Sequence, residues 1–351
     1  MLTGDNGILN RAAEAKELTD KSQIVEQARL DILGEIAGKK GENPTETKIK
    51  EILGTYFTSD TIPEDLSDLN QNLTTKSGGY TVKLSEVLDG VTVKQEVKET
   101  PIKKSTKKTD SYVGYYADIN NDGKVDGIIY ADMVVGNTKS GRWNNNDWSA
   151  YNVTTIADVT TVKDYVVSTR TYEGQTTAGI YKANDGFGEK EVLVPATNST
   201  GTKDRFYVMA LENYKTADYE TFYWYKSAYG KLNDTIESSA IDFGEGKIKT
   251  KKEIDRWNAK TYGDQDARDL WGIIQDEYAK GWFIPSKAEW SAFGEELEIK
   301  SKGYVNCGLS DWYWSSSQYS TIRAYSAYFG NGYMGSRTVG SDKYVRLSTT
   351  F

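Results

Sequence analysis

The sequence predicts an α+β protein in two parts, and three patterns in its 351 residues point there. Apolar residues recur every three or four positions near the N-terminus, short apolar alternations follow, and the C-terminal half interleaves strand-like runs with helix-capping boxes. A chain of this length exceeds the usual single domain. The expected division is a helix with a small β-sheet over residues 1–100 and a Lys-rich linker over 101–111. One large domain of short strands, two or three helices and long loops then fills 112–351.

From Asn6 to Ala37 the residues Ile8, Ala12, Ala15, Leu18, Val25, Ala28, Ile32 and Ile36 mark one amphipathic helix that Gly38 stops. Asn43-Pro44-Thr45-Glu46 reads as an N-cap, a proline at the first helical position and an acid three residues after the cap, opening a short helix through Ile49, Ile52 and Leu53. Tyr80-Val82-Leu84 and Val91-Val93, on either side of Asp89-Gly90, suggest a hairpin or small sheet extending to Val97. Lys103, Lys104, Lys107 and Lys108, between Pro101 and Asp110, read as a solvated linker.

Further on, Phe206 to Leu211 is a buried strand and Phe222 to Tyr225 a second strand near it. Thr250-Lys-Lys-Glu253 is a capping box opening a helix through Ile254, Trp257 and Tyr262, and Leu270, Trp271, Ile274 and Tyr278 carry another to Gly281. A short strand over Trp282 to Pro285 then meets Ser286, which caps a helix with Glu289 as its reciprocal partner, and Trp290 and Phe293 face the core.

Composition excludes several chemistries. A net charge of −8 argues against nucleic acid, whose phosphates need clustered Lys and Arg. The chain has no histidine, which removes the usual general base, every Ser/His/Asp or Cys/His triad and most zinc sites. Cys307, the one cysteine, forms no internal disulfide. No hydrophobic run approaches the roughly 18 to 20 residues of a membrane helix.

Asp118, Asn120, Asp122, Lys124 and Asp126 occupy positions 1, 3, 5, 7 and 9 of a loop with Gly123 at position 6, the spacing of an EF-hand-type calcium loop. Position 12, where a bidentate Glu should close the coordination sphere, is Ile129, and Gly127 to Tyr130 looks like a strand. The alternative is a tight turn built from Asp, Asn and Gly. A calcium ion here is expected to be structural, pinning the loop.

The stretch from Leu2 through Gly4, Asn6 and Arg11 to Lys16 resembles the segment after the membrane helix in pilin-like surface proteins of Gram-positive bacteria. That resemblance implies an N-terminal pilin-like helix with a small sheet, a hydrophobic helix that would precede Thr3, and anchoring in a pilus or membrane at the cell surface. Trp282-Phe-Ile-Pro285-Ser-Lys-Ala-Glu289-Trp290, then Tyr313-Trp-Ser-Ser-Ser317, Ala324-Tyr325, Phe329, Gly332 and Val345-Arg346, resemble the C-type-lectin-like domain of the formylglycine-generating-enzyme type. The match is good over about residues 250–351 and weaker over 112–249.

This ending also resembles the variable region of proteins diversified by retroelements, in which the adenines of template Asn codons are randomised. Altering the first two bases of AAC or AAT can yield Tyr, Ser, Asn, Asp, Thr, Ile, Gly, Arg, Ala, Val or Cys, but not Trp, Met, Lys, Gln or Glu. Residues 304–344 outside the scaffold are almost all of the permitted kind. The implied ligand-binding residues are Tyr304, Asn306, Tyr313, Tyr319, Thr321, Arg323, Tyr325, Tyr328, Asn331, Tyr333, Ser336, Arg337 and Tyr344, with Trp312, Trp314, Gln318, Met334 and Lys343 as invariant framework or flanking positions. Tyr, Ser, Asn, Gly and Arg are also what paratopes favour.

Each tyrosine taken singly is better explained by a half-buried strand, but residues 304–344 together, tyrosine-rich with no Glu and few aliphatic residues, are too polar for a two-sided core. The function expected is therefore non-enzymatic capture of a protein or other surface ligand, with no catalytic residue. The formylglycine-generating chemistry relies on paired cysteines, which one cysteine cannot supply, and Ser315 to Ser317 have no histidine to act as base. A fixed pilus or adhesin subunit is the nearest alternative. A calcium-dependent sugar lectin ranks third, because Ile284-Pro285-Ser286 stands where its Glu-Pro-Asn or Gln-Pro-Asp triplet would be.

Overall fold

The computed structural model describes residues 5–39, 43–63, 66–93, 101–143, 150–169, 172, 191–233, 243–309 and 311–351. It is α+β, and its chain divides into two compact units, Met1–Val97 and Lys98–Phe351.

In the first unit α1 (Asp5–Gly38) is a single helix, as its apolar spacing predicts. Among the described side chains of that stripe, Ala28 and Ile32 are buried against Ile49 and Leu53 of α2 (Glu46–Tyr56), whereas Leu18 is exposed. The cap of α2 is Thr45, whose hydroxyl accepts from the Lys48 amide at 3.3 Å, and not Asn43. Of the expected hairpin or small sheet, a small sheet forms but no hairpin around Asp89-Gly90 among the described residues. Strand β2 (Thr81–Lys83) pairs instead with the earlier β1 (Asn72–Thr74), and Leu84–Val87 coils into one helical turn, α3. Leu84, Val91 and Val93 still join the core, so apolar burial is satisfied without a second strand there, and residues 94–97 lie outside the described residues.

The second unit is built on a six-stranded sheet in the order β11-β7-β4-β3-β6-β5 and a three-stranded antiparallel sheet in the order β10-β9-β8. The strands of the first are β3 (Tyr116–Ala117), β4 (Gly127–Asp132), β5 (Tyr165–Ser168), β6 (Val192–Pro195), β7 (Phe206–Ala210) and β11 (Ser348–Thr350), with β3 and β6 parallel and the other pairs antiparallel. Those of the second are β8 (Trp312–Ser320), β9 (Arg323–Tyr328) and β10 (Tyr333–Thr338). Helices α4 (Gly246–Asn258), α5 (Leu270–Ile273), α6 (Gln275–Ala279), α7 (Lys287–Glu296) and α8 (Ile299–Lys302) complete it.

Helix α7 joins the sheets, touching β4, β8 and β9. Its start is the box the sequence predicts: the Ser286 hydroxyl accepts from the Glu289 amide at 3.3 Å, and the Glu289 carboxylate accepts from the Ser286 amide at 2.7 Å. Both carboxylate oxygens are engaged, because the other accepts from the Gly246 amide at 3.1 Å and so seats the N-terminus of α4. For this reason α4 begins a turn before the predicted box at Thr250, and the Thr250 hydroxyl instead bridges the backbone of Ile284. Burial raises the Glu289 pKa to about 7 against its backbone hydrogen bonds, which act to lower it.

Three indoles then fix β8 from outside its ladder. Trp290 donates to the Trp314 carbonyl at 3.0 Å, Trp314 to the Phe222 carbonyl at 2.8 Å, and Trp224 to the Ser315 carbonyl at 3.0 Å. Residues 222–225 therefore cover the sheet through isolated bridges, Phe222 to Lys343 and Tyr223 to Asp269, and do not form the predicted strand beside β7. Residues 101–111 also differ from the expected free linker. Ile102 is buried and donates to the Tyr165 carbonyl at 2.8 Å, Lys104 pairs with Asp164, and the Lys103 and Asp110 carbonyls accept from Arg205. One buried apolar residue and a donor-rich guanidinium are enough to hold a lysine-rich segment down.

Candidate ligand-binding face

In an antiparallel sheet, cross-strand partners share a face and neighbours along a strand alternate. The register pairs Trp312 with Tyr328 and Tyr328 with Tyr333, and Tyr325 pairs with Ser336. Trp312, Tyr328, Tyr333 and Arg337 consequently share one face, while Tyr313, Tyr325, Ala327 and Met334 share the other. The second set is buried and packs with Trp290, Phe293 and Phe329.

The first face is covered at one end only. Trp314 and Ala324 lie under Phe222, Trp224 and Leu232. At the open end Trp312 and Tyr328 stack with centroids 4.6 Å apart and planes 20° apart, and Tyr333 stands edge-on to Trp312 at 6.3 Å. The Arg337 guanidinium lies 3.5 Å from the Trp312 ring centroid, a cation–π contact. Tyr333 remains 45% exposed and the other three are partly exposed. Burial and the nearby Arg323 charge hold the Arg337 pKa below its usual value.

Two glycines make the arrangement possible. A Cβ at Gly335 would lie 2.6 Å from the Tyr333 ring and 3.2 Å from Trp312, so a side chain there would displace the cluster. Gly332, at φ +74°, turns β9 into β10 and donates to the Tyr328 carbonyl at 3.1 Å.

The thirteen residues implied by resemblance are thus divided. Tyr328, Tyr333 and Arg337 form the open cluster; Arg323 and Ser336 meet on the opposite face, Nη1 to hydroxyl at 3.4 Å. Thr321 and Asn331 are exposed in the two turns, and Tyr319 is half-buried edge-on to Tyr325 at 5.2 Å. Tyr304 and Tyr344 are half-buried against Phe329 and Tyr313. Asn306 lies in a 3-10 turn, with its side chain outside the described residues. Tyr313 and Tyr325 are fully buried, Tyr313 beside Trp290 at 5.3 Å and Tyr325 beneath the Lys287 ammonium at 4.6 Å, so these two build the core. Trp312, assigned to the framework, sits at the centre of the open cluster.

Ser315 and Ser317 serve the backbone. Ser315 donates to the Tyr325 carbonyl at 3.0 Å, and the Ser317 hydroxyl accepts from the Lys287 amide at 3.1 Å. Together they hold the irregular stretch between Trp314 and Gln318.

At the Asp118 loop the carboxylate of Asp118 accepts from the amides of Asp122 at 3.0 Å and Gly123 at 2.8 Å, Asp122 accepts from Lys124 at 2.9 Å, and Asp126 accepts from Ile119 at 2.7 Å. Asn120 accepts from the Asp122 amide at 3.0 Å. These bonds close the turn through its own backbone. Ile129 is buried in β4, and among the described residues no group of three or more His, Cys, Asp or Glu is placed to hold a metal ion. Burial, then the charges of Asp118 and Asp122, raise the Asp126 pKa.

No family model matches the chain, and no curated protein matches it. Among solved structures, a fimbrial protein from Bacteroides ovatus is similar at 15% identity with a TM-score of 0.29, over 42% of this chain and 36% of that one. A likeness at that level does not bear on function. No helix among the described residues is long and apolar enough to cross a membrane.

Proposed function

We propose that the chain is a non-enzymatic, surface-displayed binding protein of C-type-lectin-like fold whose open sheet face is varied by a retroelement. The observation that carries this reading is the cluster of Trp312, Tyr328, Tyr333 and Arg337, partly exposed on a rigid sheet. Trp, Tyr and Arg are the residues that dominate binding energy in interfaces, and a strand scaffold holds them without much loss of side-chain freedom. Trp312 cannot arise from an adenine-randomised Asn codon, whereas Tyr328, Tyr333 and Arg337 can. A constant indole ringed by replaceable side chains is what the reading requires.

The test is to sequence a near-repeat of the last 45 or so codons beside a reverse-transcriptase gene in the source genome. Adenine-confined differences at Tyr328, Tyr333 and Arg337, with Tyr313 and Tyr325 unchanged, are expected. Absence of such a repeat would sink diversification and favour a fixed pilus or adhesin subunit. One observation favours that second reading: Leu18, Leu30 and Leu33 of α1 are 66%, 51% and 42% exposed, an apolar surface suited to packing in a fibre.

A further inference from the structure

A cleft of about 250 Å³ lies beside the strand that closes the chain, lined by Asn213, Lys215, Glu212, Glu220, Tyr344 and Arg346 among others. Arg346 is only 2% exposed. Its Nε and Nη2 donate to the Asn213 side-chain oxygen at 3.0 and 2.7 Å, and Nη2 also donates to the Gly308 carbonyl at 2.9 Å. Nη1 has no hydrogen-bond partner, and no carboxylate among the described residues pairs with the guanidinium.

The same unit shows what a buried arginine ordinarily receives. Arg205, equally buried, meets Asp132 bidentately, with Nε to Oδ1 and Nη2 to Oδ2 both at 2.9 Å. Burying a cation without a counter-charge is unfavourable, and buried arginines are rarely left unpaired. Arg346 hydrogen-bonds neutral acceptors only, lies 5.9 Å from the Tyr313 ring centroid, and lines the cleft with Nη1 unpartnered.

We infer that this cleft is a carboxylate-binding site, in which a ligand's carboxylate supplies the acceptor that Arg346 lacks and Lys215 supports it. A guanidinium fits a carboxylate through paired N–H groups. Glu212 and Glu220 on the walls offset the two cations, which disfavours a doubly charged phosphate and suits a single negative charge. Nη1 is covered in the free chain, so a ligand reaches it only with a small movement of the rim. Burial also holds the Arg346 pKa below its usual value, a penalty that a bound anion would relieve. The cleft shares no lining residue with the Trp312 cluster, although its Tyr344 amide donates to the Trp312 carbonyl at 3.0 Å.

The experiment is an NMR titration of the whole chain with N-acetylglycine, with N-acetyl-triglycine and with N-acetyl-triglycinamide, at constant ionic strength. Both acids are expected to give saturable shifts at the amides of Asn213, Gly308 and Tyr344, and the amide-capped peptide none. Tighter binding of the triglycine acid by fivefold or more identifies a peptide C-terminus as the source, and equal binding a free small acid. Inorganic phosphate is expected to bind at least tenfold more weakly. Lys215→Met, at a residue without a core role, should weaken binding severalfold and leave the fold intact. Arg346→Gln should abolish it where that variant folds. Shifts that fail to saturate, or that the capped peptide reproduces, overturn the site.

Discussion

The two faces of the β8–β10 sheet carry the same kinds of side chain and put them to opposite use. Tyr313 and Tyr325 are fully buried beneath α7, whereas Tyr328 and Tyr333, three and eight residues beyond Tyr325, face outward around Trp312. Nothing in the residue type separates them. What separates them is the register, together with the tryptophans that pin β8 and so decide which face α7 covers. In this domain, tyrosine content identifies a sheet with a potential surface, and parity together with the cover over Trp314 and Ala324 identifies the surface.

The sharpest way to break the comparison is a pair of truncations. Tyr313→Ala is expected to destabilise the second unit by about 3 to 5 kcal/mol through the cavity left beside Trp290 and Phe329, while Tyr333→Ala should change stability by less than about 0.5 kcal/mol. Urea unfolding followed by tryptophan fluorescence measures both, and equal losses would erase the distinction between faces.

The next effect tests the support beneath the buried face. Glu289 has a folded pKa of about 7 against an ordinary 4.5, so the stability it lends is complete below pH 4.5 and is lost as pH rises toward 7. The loss is expected to reach about 3 kcal/mol at neutral pH. Denaturation midpoints measured from pH 4.5 to 8 should show that slope in the native chain and a flatter one in Glu289→Gln. Equal slopes would mean that the carboxylate's hydrogen bonds to Ser286 and Gly246 outweigh its burial.

A smaller effect tests the open face. Arg337→Ala removes the guanidinium over Trp312 and should cost about 0.5 to 1 kcal/mol. Gly335→Ala should push Tyr333 aside and alter Trp312 emission with little change in stability. Unchanged emission in both variants would show that the cluster is not formed in solution.

The smallest effect concerns the Asp118 loop. Because its carboxylates already accept the loop's own amides, 5 mM calcium chloride is expected to move Tm by less than about 1 °C. A rise of several degrees that Asp118→Asn abolishes would instead place calcium in the loop.

The features legible in the sequence are those written within a few residues. The Ser286 to Glu289 box is an i, i+3 pattern whose partners are fixed by helix geometry, and it is found as expected. The long helix α1 and the strand at Phe206 follow from one-dimensional periodicity in the same way. Thr250 carries the same local signature as Ser286 and does not cap, because the Glu289 carboxylate seats Gly246, 43 residues from it in sequence, first. The hairpin at Asp89-Gly90 fails for a related reason: β2 has a better partner already made in β1.

By itself, then, the sequence determined the α+β class, the absence of histidine chemistry and the aromatic, polar character of residues 304–344. It could not determine which of those aromatics meets solvent. Strand parity has meaning only against a register, and here the register depends on an irregularity at Ser315 to Ser317 and on indole bonds to backbone at Phe222, Trp314 and Ser315. Those contacts span 24 to 92 residues of chain. Only the folded chain brings them together, and with them it sets Trp312 outward, Tyr313 inward and Arg346 at a cleft without a paired carboxylate.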